Sequence, residues 1–159
     1  MTKVVAERLL IRTDGASRSN PGPASAGAVL IDAARPDASH PDAPPLSVVS
    51  RPLGVQTNNV AEYTALLLAL KEAARLGARE IDLRLDSKLI VEQLHGRWKV
   101  KDAKMRVLWA EARELLAGFD RWRATHEPRA TNRAADALAN LALDDPAAAA
   151  RLEAQYRAR

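Results

Sequence analysis

Residues 11–30 read IRTDGASRSNPGPASAGAVL. The apolar Leu9, Leu10 and Ile11 lead through Arg12 and Thr13 into Asp14. Gly15, two serines, Asn20, Pro21, Gly22 and Pro23 follow, and then a second apolar run. Glycine, serine, asparagine and proline are turn formers, each for its own backbone reason. Two apolar runs joined by such residues read as a hairpin, with strands over Val4–Asp14 and Ala24–Ile31. The feature to explain is why a strand bound for the core ends in a bare carboxylate beside so permissive a turn.

Downstream, residues 33–46 hold four prolines and no apolar period, the pattern of a surface loop. Ser47–Leu53 reads as a third strand, so the first three elements predict an antiparallel meander. The pattern then changes. From Asn59 to Leu76 the apolar residues Val60, Tyr63, Leu66, Leu67, Leu70 and Ala74 fall at helical spacing, with Gly77 as a C-terminal cap. Glu80–Asp86 alternates and reads as a strand. Ser87–His95 is a short helix stopped by Gly96, and Asp102–Ala117 is a second helix stopped by Gly118. Asp120–His126 is a fifth strand, Asn132–Leu143 a helix, and Pro146–Arg159 a helical, alanine-rich tail. A helix after the third strand carries a crossover to a parallel fourth. The expected fold is α/β: a mixed five-stranded sheet, three antiparallel strands and then parallel strands, flanked by helices. The expected organisation is one domain over residues 1–144 and a tail over 145–159.

Composition narrows the function. The chain has 159 residues, enough for one real core. It has no cysteine, which excludes disulfides, thiolate metal sites and a cysteine nucleophile. A net charge of +4 and a sequence pI near 9.8 invite a polyanionic partner. No apolar stretch reaches a membrane span, and the N-terminus has charges within its apolar stretch, so no membrane and a cytoplasmic location are expected. No GxxxxGK or GxGxxG motif occurs to support a nucleotide-driven motor or a dehydrogenase.

Four carboxylates stand out. Asp14 ends the first strand, and taken alone it is a turn residue. Glu62 lies three residues after Asn59, the spacing of a capping box. Asp86 ends the fourth strand before a helix, where aspartate is a common cap. Asp136 lies in the first turns of the last sheet-packing helix, where the dipole favours an anion. Their placement together is more telling. Strand ends and first helical turns can converge at one end of a sheet, and four acids in one cleft repel unless cations hold them. Oxygen donors without cysteine, and with only scattered histidine, point to magnesium or manganese.

The segments TDGASRSNPGPASAG (13–27), TNNVAEYTAL (57–66), LRLDSKLIVEQL (83–94) and TNRAADALAN (131–140) together resemble the type 1 ribonuclease H family, over about residues 8–143. The resemblance implies the mixed sheet above and a catalytic set of Asp14, Glu62, Asp86 and Asp136 holding two magnesium or manganese ions. It implies endonucleolytic hydrolysis of the RNA strand of an RNA–DNA hybrid, by a monomer, leaving a 5′-phosphate and a 3′-hydroxyl. One ion would lower the pKa of the attacking water and the other would stabilise the leaving oxygen. It further implies that Gly15, Ala16, Ser17, Asn20 and Asn58 read the RNA, whose 2′-hydroxyl both donates and accepts. Thr57 and Asn59 are implied for phosphates and the DNA strand. Helix capping is the competing role for Asn58 and Asn59.

The chain also departs from the family. Lys88 stands where many relatives have glutamine, which suggests a phosphate contact in place of a groove contact. Residues 96–106, GRWKVKDAKMR, are too short for the longer basic protrusion of some members. Trp98, Lys99, Lys101, Lys104 and Arg106 remain as a reduced DNA-strand contact, or else as a solvated loop with its tryptophan on the core. Trp109 and Trp122 are read as core. Arg121, Arg123, Arg129 and Arg133 are candidates to extend the positive surface. Many relatives place a histidine ahead of the final aspartate, which corresponds to His126; others have an arginine there, which corresponds to Arg129. Either is a candidate to assist product departure, and His126 also reads as a fixed strand-end residue. Two other functions share these residues: a non-catalytic hybrid-binding module, and a different nuclease of the same superfold. A proofreading exonuclease would carry Asp-x-Glu in the first strand, where this chain has Thr13-Asp14-Gly15.

Overall fold

The computed structural model describes residues 4–159. Residues 1–3, which the expected domain includes, lie outside the described residues. Strands β1 (Arg8–Ser17), β2 (Gly22–Asp32) and β3 (Ser47–Gln56) precede helix α1 (Asn58–Arg75). Then come β4 (Glu80–Leu85), α2 (Lys88–Leu94), α3 (Ala103–Ala117) and β5 (Arg121–His126). A 3₁₀ turn (Arg129–Asn132), α4 (Arg133–Asp144) and α5 (Pro146–Arg157) complete the chain.

The sheet order is β3-β2-β1-β4-β5. β1 pairs antiparallel with β2, and β2 with β3; β1 with β4 and β4 with β5 are parallel. This is the expected mixed sheet. Leu9 and Ile11 face α1 in a large apolar cluster with Tyr63, Leu66, Leu70 and Leu83. Leu10, on the other face, joins Val29, Ile31 and Leu138 of α4 in a smaller one. The alternation of β1 therefore sorts its side chains between two helical layers.

Three differences from the sequence reading bear on the site. β1 runs on to Ser17, three residues past Asp14, because the ladder to β2 persists from Leu9↔Asp32 to Ser17↔Ala24. Gly15, Ala16 and Ser17 are thus strand residues and not a turn. Thr57 caps α1, its hydroxyl accepting from the Val60 amide, so Asn58 and Asn59 are released from capping. Ser87 caps α2 in the same way, which releases Asp86. In each case the hydroxyl takes the amide three residues on, the geometry an N-cap requires.

The proline-rich loop is more than surface. Its Ala38 and Ala43 are buried against the smaller cluster. Helix α5 lies on β3 and α4, where Ala149 is fully buried and Leu152 and Tyr156 pack on that same cluster. Its Glu153 accepts from the Ser50 amide (2.7 Å) of edge strand β3 and pairs with Arg51 (3.1 Å).

Candidate carboxylate centre

β1 and β4 are parallel neighbours whose last register pair is Thr13↔Leu85. The next residue on each chain is an aspartate, so Asp14 and Asp86 come out side by side at the same edge of the sheet. Helix α1 closes over β1 at Gly15, where a Cβ would lie 2.2 Å from the backbone of Ala61 and Glu62. That close approach delivers Glu62, whose carboxylate accepts from the Gly15 amide. The result is a group in which Asp14, Glu62 and Asp86 each offer an oxygen, all within 4.8 Å of one another.

Asp136 enters from the opposite face. Helix α4 closes over β2 at Gly27, where a Cβ would meet the Ala135 carbonyl at 2.1 Å. Gly27 is the register partner of Asp14. Ser25 and Ser50 hold the helix down, their hydroxyls donating to the carbonyls of Ala139 and Leu138, both at 2.6 Å. Asn132 is buried and donates to the Thr13 carbonyl at 2.8 Å. Asp136 is in side-chain contact with Asp14. It borders the tight group of three and does not belong to it.

The electrostatics are unfavourable for an uncompensated cluster. Burial, then the neighbouring Asp86 and Asp136, push the Asp14 carboxyl up from 3.8 to about 7. Burial and the charges of Asp14 and Asp86 raise Glu62 well above the ordinary carboxylate range, against the Gly15 amide and Arg129. Arg129 is the cation that opposes both shifts. Three hard oxygen donors in one cleft fit a divalent cation of the magnesium, manganese or calcium type, and such a charge relieves this repulsion.

The sequence candidates fall into two clefts. One, of about 450 Å³, combines Asp14, Glu62 and Asp86 with Gly15–Ser17, Asn58, Asn59 and Arg129. Asn20 ties the hairpin turn to its rim by accepting from the Asn58 amide at 3.1 Å. Thr57 is exposed there, and its hydroxyl accepts the cap bond while its O–H stays able to donate. The other, of about 390 Å³, is lined by Trp98, Lys99, Lys101 and Arg106, with Trp109 behind them. Lys88 belongs with this second cleft, its ammonium 6.0 Å from the Trp98 ring. Trp98 is 45% exposed, so it is not tucked on the core. Trp109 and Trp122 are half-buried against the core, Trp109 donating to the Gln93 carbonyl and Trp122 stacking on His95.

All four arginines expected to widen the positive surface stand within 4 Å of a carboxylate. Arg121 pairs with Glu80, Arg123 with Asp82 and Arg133 with Asp42. Arg129, 83% exposed, reaches Asp136 at 3.8 Å and lines the acidic cleft. His126 ends β5, is exposed, and has its Nε2 3.2 Å from the Asp86 carbonyl.

Sequence reasoning missed Arg12, Glu127, Asn132 and Gln93. Arg12 is buried with Glu127 as its partner at 2.9 Å. Gln93 is buried, accepts from the Tyr63 hydroxyl at 2.6 Å and donates to the Lys99 carbonyl at 3.2 Å, which fixes the second cleft to α1 beside Glu62. The signal for Arg12 was a charge inside a central apolar strand. The buried partners of the other three lie far off in sequence.

Known proteins agree with this architecture. A family model described as "Reverse transcriptase-like" matches residues 12–142. A ribonuclease HI of Halobacterium salinarum is 50% identical over 132 residues, covering 83% of this chain and 62% of that protein. A bifunctional protein of Mycobacterium tuberculosis is 43% identical over 147 residues, 92% of this chain and 38% of its own. The chain thus spans less than two thirds of the length of either relative. Among solved structures, an RNase H1 in complex with an RNA/DNA hybrid superposes with a TM-score of 0.77 at 35% identity, over 87% of this chain and 98% of that one.

Proposed function

The chain belongs to the ribonuclease H family, and on that premise we propose that it is an endonuclease hydrolysing the RNA strand of RNA–DNA hybrids. The products are a 5′-phosphate and a 3′-hydroxyl. The observation that carries this is the convergence of Asp14, Glu62 and Asp86 within 4.8 Å at the end of two parallel strands, with Asp136 against Asp14. These four would hold two divalent ions, magnesium or manganese. When bound, such ions lower the pKa of water and neutralise charge developing on a leaving oxygen. The chain's own part is positional. The Gly15 amide orients Glu62, Asn132 fixes the start of α4 on β1, and the parallel register sets Asp14 beside Asp86.

Ser17, Asn58 and Asn59 line the acidic cleft and suit the 2′-hydroxyl and the backbone of the hybrid. Ala16 contributes strand backbone, and Asn20 and Thr57 shape the rim. Lys88, Trp98, Lys99 and Lys101 form a separate aromatic and cationic contact for the DNA strand, with phosphates on the lysines and a sugar on the ring. The protein acts as a monomer, with α5 covering one sheet edge.

Labelled RNA–DNA, RNA–RNA and DNA–DNA duplexes, with magnesium and with chelator, test the reading. Internal cutting of the RNA strand of the hybrid alone, abolished by chelator, is expected. Equal cutting of the DNA duplex, or cutting in chelator, overturns it. A hybrid 2′-deoxy across the contacted RNA nucleotides should be a very poor substrate, and binding should weaken as salt rises.

A further inference from the structure

Arg12 is the largest fully buried side chain that carries a charge, 1% exposed in the central strand. Its Nε donates to Glu127 at 2.9 Å, and one terminal nitrogen donates to the Ser39 carbonyl of the proline-rich loop at 2.8 Å. The other terminal nitrogen is buried with no protein partner among the described residues. Glu127 is held a second time by Arg84 at 3.2 Å, and Arg84 in turn grips Asp82. Its amide donates to the Leu85 carbonyl at 2.8 Å, one residue before Asp86.

A buried ion pair is a poor device for stability, because desolvating two charges costs about what their attraction returns. Its use lies in fixing geometry. Here it ties β1, two residues before Asp14, to the residue that follows His126. Pro128 comes next, with φ −61°, and Arg129 begins the 3₁₀ turn. Proline removes the φ freedom between Glu127 and Arg129. The Thr131 hydroxyl closes the turn on the Pro128 carbonyl at 2.7 Å. At its far end, Asn132 is pinned to the Thr13 carbonyl. The segment 127–132 is therefore fastened to β1 at both ends, on the two residues that precede Asp14. Arg129 stands between the fastenings and lines the acidic cleft.

We propose that Glu127, clamped by Arg12 and Arg84, is a positioning residue that sets Arg129 against the scissile phosphate. This rests on the proposed nuclease function and on Arg129 acting in it. Glu127 touches neither the carboxylates nor the cleft. A purely structural role would cost stability and slow the enzyme to the same extent whether or not Arg129 is present. A positioning role makes the two residues dependent on one another.

The test is a double-mutant cycle with magnesium on a labelled hybrid, using wild type, Glu127→Gln, Arg129→Ala and the double variant. Each is also checked for folding by circular dichroism and thermal midpoint. Glu127→Gln should lower kcat about three- to tenfold with KM little changed, since small misplacement of an acting group is costly. In the Arg129→Ala background the same change should cost less than about twofold, because the group it positions has gone. Glu127→Asp, which keeps the charge, should recover part of the loss. If Glu127→Gln folds poorly, Arg12→Lys, which keeps the charge but not the fork, takes its place in the cycle. Full multiplicative loss in the double variant overturns the proposal, as does wild-type kcat in Glu127→Gln beside a slow Arg129→Ala. Wild-type kcat in Arg129→Ala overturns it too, by removing Arg129 from the reaction while leaving the four-carboxylate reading intact.

Discussion

Asp14 and Gly27 are direct register partners across the β1–β2 ladder, and the second makes the first useful. The missing side chain at 27 admits the backbone of α4 at Ala135, and the next residue is Asp136. A carboxylate on one strand is thus completed by an absence on its neighbour.

Gly27→Ala places a methyl group 2.1 Å from the Ala135 carbonyl, a backbone atom that cannot swing aside. Overpacking of this kind costs about 1–3 kcal/mol. The shift of α4 carries Asp136 away from Asp14, so cleavage should fall at least tenfold in protein that still folds. Denaturant unfolding and hybrid cleavage measure the two effects. Wild-type stability together with wild-type rate would contradict the close packing.

Asp14→Asn should abolish cleavage while leaving the fold intact, and Asp86→Asn should do the same. Near-normal turnover in either with magnesium would remove that residue from the metal-holding set. Stability supplies a second readout. Because folding raises the Asp14 carboxyl from 3.8 to about 7, its contribution is fully present below about pH 4 and is lost as pH rises through about 7. A shift of that size corresponds at most to about 4 kcal/mol. In chelator, wild type should lose stability over that window, and Asp14→Asn should lose less and be the more stable variant at pH 8. Magnesium should restore the wild type by binding the folded state alone. Denaturant midpoints from pH 4 to 8, with and without magnesium, check this, and parallel pH slopes for the two proteins would argue against it.

Arg129→Ala should lower kcat severalfold or more, and His126→Ala should change it little. Arg129 lines the acidic cleft with a planar guanidinium suited to a phosphate, whereas His126 is engaged at the strand end with the Asp86 carbonyl. Steady-state and single-turnover rates for both variants decide between them. A slow His126→Ala beside a normal Arg129→Ala would reverse the assignment.

Glu153→Ala removes the acceptor for the Ser50 amide and the partner of Arg51. Loss of a charge-assisted hydrogen bond, with the amide of buried Ser50 left without its acceptor, costs about 1–3 kcal/mol. It also loosens α5 from edge strand β3, and an uncovered edge pairs readily with another chain. The thermal midpoint should drop and aggregation on heating should rise, with unchanged cleavage per folded molecule. Light scattering during a thermal ramp, with activity measured below the transition, tests this. A midpoint equal to wild type would show that the contact contributes nothing.

The sequence by itself determined the element order and the mixed sheet, and it singled out the four acids as candidates, because strands, helices and motif segments are each written locally. Alternation marks β4, helical spacing marks α1, and Asp14, Glu62, Asp86 and Asp136 sit in short, recognisable segments. Boundaries were less legible: β1 reaches Ser17 because its pairing with β2 outweighs the turn-forming character of Gly15 and Ser17. Asn59 and Asp86 looked like caps, yet Thr57 and Ser87 take those roles, and hydroxyl and carboxylate caps are equivalent on paper. Only the tertiary structure decided which glycines are close-packed, which acid each arginine meets and which partners Arg12 finds. Gly15 and Gly27 earn their identity from helices more than 40 and 100 residues away. Arg12 and Glu127 are 115 residues apart and meet because β1 and β4 pair in parallel and β5 follows beside them. A charge is free or paired according to what the fold brings within about 4 Å of it, and neither composition nor spacing along one chain contains that distance.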